Sequence, residues 1–314
     1  MVYVKRIIAS LVFICGFVGI LIGVSYLFIP KEGDLEFGTE DPAAYSVCGE
    51  TQNSLDILVF GDSESYCNIT PMQIWKEAGI SMFICGTRAQ RLDYTLVLAE
   101  RALRDQSPKV VILETNTIYR EMSVSASTLA KLSNHFAIFR YHDRWKAILS
   151  GGNPVAISDD YKGYNFSNVV IPAPVQDYMI YTEESSEIHM VNVSYVEQLK
   201  ALCEENGAEL ILVSTPSAKN WTYEKHNGIA SLAEEIGCKY LDMNTCNDEI
   251  GINWKTDTRD KGDHLNYAGA VKASHYLAEY LKALDVFTDK RTDPAYADWN
   301  KALTRYELFV STSH

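Results

Sequence analysis

Residues 55–65 read LDILVFGDSES, from Leu55 to Ser65. Six largely apolar residues, Leu55 to Phe60, are closed by Gly61 and followed at once by Asp62 and Ser63. A run this short and this apolar reads as a strand buried on both faces. Working outward, the same unit repeats. Thr70 and Pro71 open a short helix, with Thr as its cap and Pro at its first position. Ser81 to Cys85, SMFIC, is a second strand ending at Gly86, and Leu92, Leu96, Ala99 and Leu103 then recur at helical spacing. Val110 to Leu113 is a third strand, ending in ETN at Glu114–Asn116.

The alternation resumes late in the chain. Val196, Leu199 and Cys203 mark a helix stopped by Asn206 and Gly207. Leu210 to Val213 is a fourth strand. A helix over residues 221–236 leads to a fifth strand at Lys239–Leu241, and Ala270, Val271, Ser274, Leu277 and Leu281 trace the last helix. Strands alternating with helices imply a parallel sheet covered on both faces, an α/β fold. Between Thr117 and Val191 the alternation breaks down around Gly151, Gly152, Pro154, Pro172 and Pro174, which reads as an insertion or cap.

Composition narrows the functional classes. Of 314 residues, 47% are hydrophobic and 22% charged, the balance of a folded protein. Lys and Arg number 28 against 41 Asp and Glu, a formal net charge of -13, with no long basic run. Nucleic acid is therefore excluded as a main partner, because phosphate binding needs clustered cations. The acidic surface also disfavours anionic polymers unless a local basic patch offsets it, and on this reading a neutral glycan is the better acceptor. His135, His142 and His264 are scattered without metal-ligand spacing, and no phosphate-binding glycine loop occurs, so neither metal nor cofactor is expected. Of seven cysteines, Cys15 lies in the apolar N-terminal run. The other six form no CxxC pair; they permit disulfides without requiring them.

Ile7 to Ile29, IIASLVFICGFVGILIGVSYLFI, carries no charge. As a helix it would span about 34 Å, enough for a hydrocarbon core of about 30 Å. Its length favours an uncleaved anchor over a signal peptide, whose apolar region is shorter. Lys5 and Arg6 precede the run, whereas Lys31, Glu32, Asp34 and Glu36 follow it. The positive-inside rule then leaves the N-terminus in the cytoplasm and the rest of the chain outside the membrane.

In open parallel sheets, sites form beyond the carboxyl ends of the strands. Those ends carry GDSES at Gly61–Ser65, CGT at Cys85–Thr87 and ETN at Glu114–Asn116, with KGDHLN at Lys261–Asn266 just before the last helix. A serine, a histidine, acids, a glycine and an asparagine are the parts of an acyl-transfer site: a nucleophile, a base to take its proton, a carboxylate to orient the imidazole, and donors for the oxyanion. The plainer reading of GDS is a turn in which Asp62 and Ser63 cap the next helix.

FGDSES, a glycine after strand two, an asparagine after strand three and a late acid–histidine segment resemble the SGNH/GDSL hydrolase superfamily over about residues 54–284, less the insertion. The resemblance implies a three-layer flavodoxin-like fold and metal-free ester hydrolysis or acyl transfer. It implies Ser63 as nucleophile, His264 as base, and the Ser63 N–H, the Gly86 N–H and the Asn116 side chain as oxyanion donors. The family places Asp three residues before the histidine. Here that position is Lys261, so Asp260, four before, and Asp263, one before, are the candidate acids, with Asp260 preferred and Asp263 an alternative cap for the following helix. The third block reads Glu114-Thr115-Asn116-Thr117 where the family has Gly-x-Asn-Asp.

With the apolar N-terminal run, the layout is similar to membrane-anchored bacterial cell-envelope members of that superfamily, such as the D-alanyl transfer protein of lipoteichoic acid modification and alginate-type O-acetylation proteins. That similarity implies a cell-surface glycan as substrate and a multi-pass membrane O-acyltransferase as partner. Within NHFAIFRYHDRWKAI, Asn134–Ile148, and YKGY, Tyr161–Tyr164, the residues Arg140, His142, Trp145 and Lys162 are candidate groove residues, against the plainer reading that Phe136, Phe139 and Trp145 pack the cap onto the sheet. The organisation expected is residues 1–30 as cytoplasmic stub and anchor, 31–54 as linker, 55–290 as the SGNH-like domain with 117–191 inserted, and 291–314 as a C-terminal extension. The rival readings are a catalytically degraded accessory protein that keeps the fold and binds a polymer or acyltransferase, and a lipid esterase with an apolar lid.

Overall fold

The computed structural model describes residues 2–28, 44, 46–120, 122, 161–174 and 178–313. The chain divides into two units, residues 1–42 with 123–156 and residues 43–122 with 157–314. The first contains helix α1 (Val2–Phe28), whose stretch Tyr3–Ser25 is long and apolar enough to cross a membrane. The second holds every strand found among the described residues.

Five strands, β1 (Ile57–Gly61), β2 (Met82–Gly86), β3 (Val110–Glu114), β4 (Glu209–Ser214) and β5 (Lys239–Asp242), form one sheet in the order β2-β1-β3-β4-β5. All pairings are parallel, with Gly61 opposite Gly86 and Leu113 opposite Leu212. This is the flavodoxin-like order, whose direction of winding reverses between β1 and β3.

Alternate strand residues serve opposite faces. Leu58, Phe60, Val111, Leu113, Leu210 and Leu212 pack with α4 (Leu92–Asp105), α5 (Met190–Glu205) and α6 (Tyr223–Ile236). Ile57, Val59, Val110, Ile112, Ile211 and Val213 pack with α3 (Pro71–Ala78), α7 (Asn247–Ile250) and α8 (Tyr267–Ala283). Helix α2 (Ser63–Asn68) is a single short segment between β1 and α3. Each strand lies within two residues of its sequence-based bounds, because each run ends on a residue that stops it.

Local details differ from the sequence reading. Thr70 occupies the cap position of α3 but makes no side-chain cap bond; its hydroxyl pairs with the Tyr306 hydroxyl at 3.0 Å. The end of the stretch read as linker belongs to the fold, for Ala44 and Val47 are buried in the core. So does the stretch read as an extension: α9 (Ala297–Thr312) sets Trp299 against Trp75, ring centroids 5.1 Å apart. Described residues 161–174 and 178–189 form no helix or strand, as the broken alternation indicated. None of the cysteines is bridged.

Lys162 is a correction. It is not a groove residue: its ammonium is buried against Glu50 at 2.6 Å and lies 4.6 Å over the Trp299 ring. Its carbonyl accepts from the Ile84 N–H at 3.0 Å, so YKGY runs along the free edge of β2. Gly163 there has φ +85°, and a Cβ would meet the Ile84 carbonyl oxygen at 2.1 Å, so no other residue fits. Arg140, His142, Trp145 and the rest of Asn134–Ile148 lie outside the described residues.

Trp299→Ala is expected to destabilise the fold by about 3–5 kcal/mol, the usual range for removing a buried Trp. Urea unfolding would show it as a lowered midpoint.

Candidate active site

The site lies at the carboxyl ends of β1 and β3, on either side of the reversal point. Asp62 follows β1 and is fully buried. One carboxylate oxygen accepts from the Glu64 N–H at 3.0 Å and caps α2, as the plainer reading of GDS expected. The other accepts from Asn116 Nδ2 at 2.9 Å and from Arg120 Nε at 2.8 Å, with Arg120 Nη2 also in contact. Asp62 thus joins the two strand ends and puts Ser63 at the first position of α2.

His264 belongs to a loop ahead of α8. Its Nδ1 lies 2.5 Å from Asp260 Oδ2, and its own N–H donates to Asp260 Oδ1 at 2.7 Å. A carboxylate can only accept here, so the neutral ring carries its proton on Nδ1 and its lone pair on Nε2. That Nε2 is buried and has no hydrogen-bond partner among the described residues. Burial opposes ionisation of Asp260, but the two bonds from His264, its charge and that of Arg259 outweigh it and hold the carboxyl below its ordinary range.

Asp263 is placed differently. Its carboxylate is 3.9 Å from Nδ1, pairs with Lys219 Nζ at 2.6 Å and accepts from the Asn220 amide. It does not cap α8 either, since Asn266 accepts from the Gly269 N–H. The extra residue between acid and histidine is absorbed by Lys261 and Gly262, at φ +67° and +91°.

The segments that carry Ser63 and His264 are tied through one helix. Asn68, at the end of α2, accepts from the Leu265 N–H at 2.8 Å and donates to Thr215 Oγ1 at 3.0 Å. The residue beside His264 therefore hangs on the helix that begins with Ser63. Ser63 and His264 share the wall of a cleft of about 550 Å³, together with Asn116, Ala89, Tyr119 and Asn220. Ser63 Oγ makes no hydrogen bond to His264 or to any other described residue.

Gly86 is not among the residues lining that cleft. A Cβ there would meet Ser65 Oγ at 2.4 Å, so the glycine lets α2 approach the sheet. The residues of the same loop that reach the cleft are Arg88 and Ala89, the latter at φ +51°. Sequence reasoning missed Ala89 because alanine rarely signals a left-handed turn. It also missed Arg120 and the two buried acids beneath Ser63. Glu64 accepts from Asn220 Nδ2 at 2.8 Å, and burial first, then the Asp62 charge, push its carboxyl up to about 8. Burial and the neighbouring Glu64 and Asp62 likewise raise Glu114 well above its ordinary range. Burial thus disfavours the charged form of both acids.

No family model matches the chain, and a search of curated proteins gives no match. Among solved structures the chain is similar to a lipolytic protein of the G-D-S-L family from Desulfitobacterium hafniense, at 13% identity, TM-score 0.42, over 71% of this chain and 97% of that one. It is also similar to a lipase/acylhydrolase from Enterococcus faecalis, at 9% identity, TM-score 0.41, over 73% and 95%. A GDSL-like lipase from Bacteroides thetaiotaomicron gives 12% identity, TM-score 0.40, over 79% and 100%. These likenesses concern the fold; the parallel sheet and its order rest on the strand pairing itself.

An asparagine at 260 would donate to His264 Nδ1 and move the ring proton to Nε2. Asp260→Asn is therefore expected to lower ester turnover by about 10³–10⁴, and Asp263→Asn by no more than about tenfold; steady-state hydrolysis of an activated acetyl ester measures both. For Glu64, whose folded pKa lies above its unfolded value, the stability of the neutral form is present below about pH 4.5 and is lost as pH rises towards about 8. Glu64→Gln is expected to gain melting temperature relative to wild type across that window, and thermal unfolding from pH 5 to 8 reads the gain.

Proposed function

We propose that this chain is an SGNH-type serine esterase or O-acyltransferase, anchored by residues 7–29 with its N-terminus in the cytoplasm and its catalytic domain outside the membrane. Its substrate on this reading is an acyl ester of a cell-surface polysaccharide. One observation carries the chemistry: Asp260 fixes the His264 tautomer so that an unpartnered Nε2 lies in the same cleft as Ser63. The apolar length of Tyr3–Ser25, and the position of Lys5 and Arg6 just before the uncharged run that starts at Ile7, support the anchoring.

The steps follow from the groups present. Ser63 Oγ adds to the acyl carbonyl as His264 Nε2 takes its proton. The tetrahedral oxyanion is met by the Ser63 N–H at the start of α2, the Ala89 N–H and the second amide hydrogen of Asn116, whose first is held by Asp62. Collapse of the adduct breaks the ester C–O bond, and His264 returns the proton to the departing alcohol. Water or an acceptor hydroxyl, deprotonated by His264, then adds to the acyl carbon, and as the bond to Ser63 Oγ breaks His264 passes that proton to the serine. Asp260 stabilises the imidazolium in both half-reactions.

The cleft favours a short acyl group on a polar substrate. Among the described residues no Leu, Ile, Val, Met or Phe lines it. A lipid esterase needs an apolar channel for its chain, so this composition weighs against that alternative. A multi-pass membrane O-acyltransferase as acyl supplier remains part of the proposal through the anchored layout alone.

Full-length protein in an uncharged detergent is expected to be labelled by a serine-directed fluorophosphonate, and Ser63→Ala to lose that label. Acetyl esters are expected to turn over about tenfold faster, in kcat/KM, than octanoyl esters. Absent labelling of the wild type, or labelling that survives in Ser63→Ala, overturns the reading.

A further inference from the structure

The cleft wall is cationic in a chain of net charge -13. Arg88, Arg120 and Lys225 line it, with Asp263 as the one carboxylate among the described lining residues. The pairs leave a remainder. Arg120 is neutralised by Asp62, and Asp263 by Lys219. Asp260 faces His264. Arg88 is exposed and makes no ion pair among the described residues. Lys225 donates to the Asn220 carbonyl at 2.6 Å, a neutral partner.

Lys225 is hard to explain as a folding residue. It sits in the first turn of α6, capped by Thr222, where the helix dipole disfavours a cation. Burial lowers its pKa against the opposing pull of Glu64 and Glu114, and no carboxylate among the described residues forms an ion pair with its ammonium. Its ammonium instead lies 5.2 Å from the Tyr119 ring and 5.8 Å from the Trp221 ring, both of which stiffen it at the cleft wall. A half-buried cation without a carboxylate, next to a nucleophile, is a binding group.

We propose that the ester handled in this cleft belongs to a substrate carrying a nearby anionic group, a phosphate or a carboxylate, which Arg88 and Lys225 hold. This rests on the esterase reading for the identity of the reacting group, whereas the binding of the anion does not. It reverses the expectation, drawn from net charge, of a neutral acceptor. The overall negative charge repels anions over most of the surface, and the cleft focuses the opposite field where the serine lies.

The test uses full-length protein in an uncharged detergent with four acetyl esters: acetylglycerol, acetylglycerol 3-phosphate, an acetylated methyl glucoside and the matching glucuronoside. Wild type is expected to prefer at least one anionic ester over its neutral partner by about tenfold or more in kcat/KM at low ionic strength, and less as salt rises. The phosphate and carboxylate arms say which anion is meant. In the Arg88→Gln/Lys225→Gln double variant the ratio is expected to fall towards one, with Arg88→Lys keeping part of it. A wild-type ratio of one or below in both arms, or an unchanged ratio in the double variant, overturns the inference. Should no ester turn over, the esterase reading fails and binding decides alone. Calorimetric titration of Ser63→Ala with glycerol 3-phosphate, glucuronate and glycerol is then expected to show one of the anions binding, glycerol not, and binding lost when Arg88 and Lys225 are replaced. No binding of either anion overturns it.

Discussion

Everything at the site depends on one buried carboxylate. Asp62 is wholly inside the protein and accepts from a backbone N–H, an amide and a guanidinium. A charge so placed is tolerated only if each lone pair is met, and here the partners come from both sides of the sheet's reversal point. Take the partners away and the start of α2, the loop after β3 and Arg120 lose their common anchor. The serine stays where it is because its neighbour in sequence cannot move.

The same constraint explains the acids below. Three carboxyls, Asp62, Glu64 and Glu114, crowd together, and they cannot all ionise in a space that excludes water. Asp62 has Arg120 against it. Glu64 and Glu114 have no cation in ion-pair contact among the described residues, and burial pushes both towards the uncharged form.

The sheet was legible because its strands are short apolar runs, each ended by a residue that cannot continue it. The placing of Ser63 just after β1, and the pairing of His264 with Asp260 in the loop before α8, were legible because a serine after a short apolar run and an acid–histidine segment before a helix are both local patterns. What was not legible depends on distance along the chain. Lys162 looks like a groove residue until Glu50, 112 positions earlier, and Trp299 close over it. Gly86 follows strand two as the pattern requires, but what its missing Cβ makes room for is Ser65, a packing need that only the fold reveals. Ala89 has no local mark of its left-handed backbone, and the worth of Arg88 and Lys225 emerges only after every neighbouring charge has been paired off.

The helix Ala297–Thr312 covers Trp75, whose indole N–H donates to Asn300, 225 positions downstream. Chains are made from the amino end, so this tryptophan is synthesised long before its cover. Until then a large aromatic surface stays bare, a natural handle for a chaperone and a seed for aggregation. Completion of the domain is thus timed by the arrival of its last helix, and ribosome stalling or proteolysis upstream of it would leave a chain that carries Ser63 and His264 but cannot close.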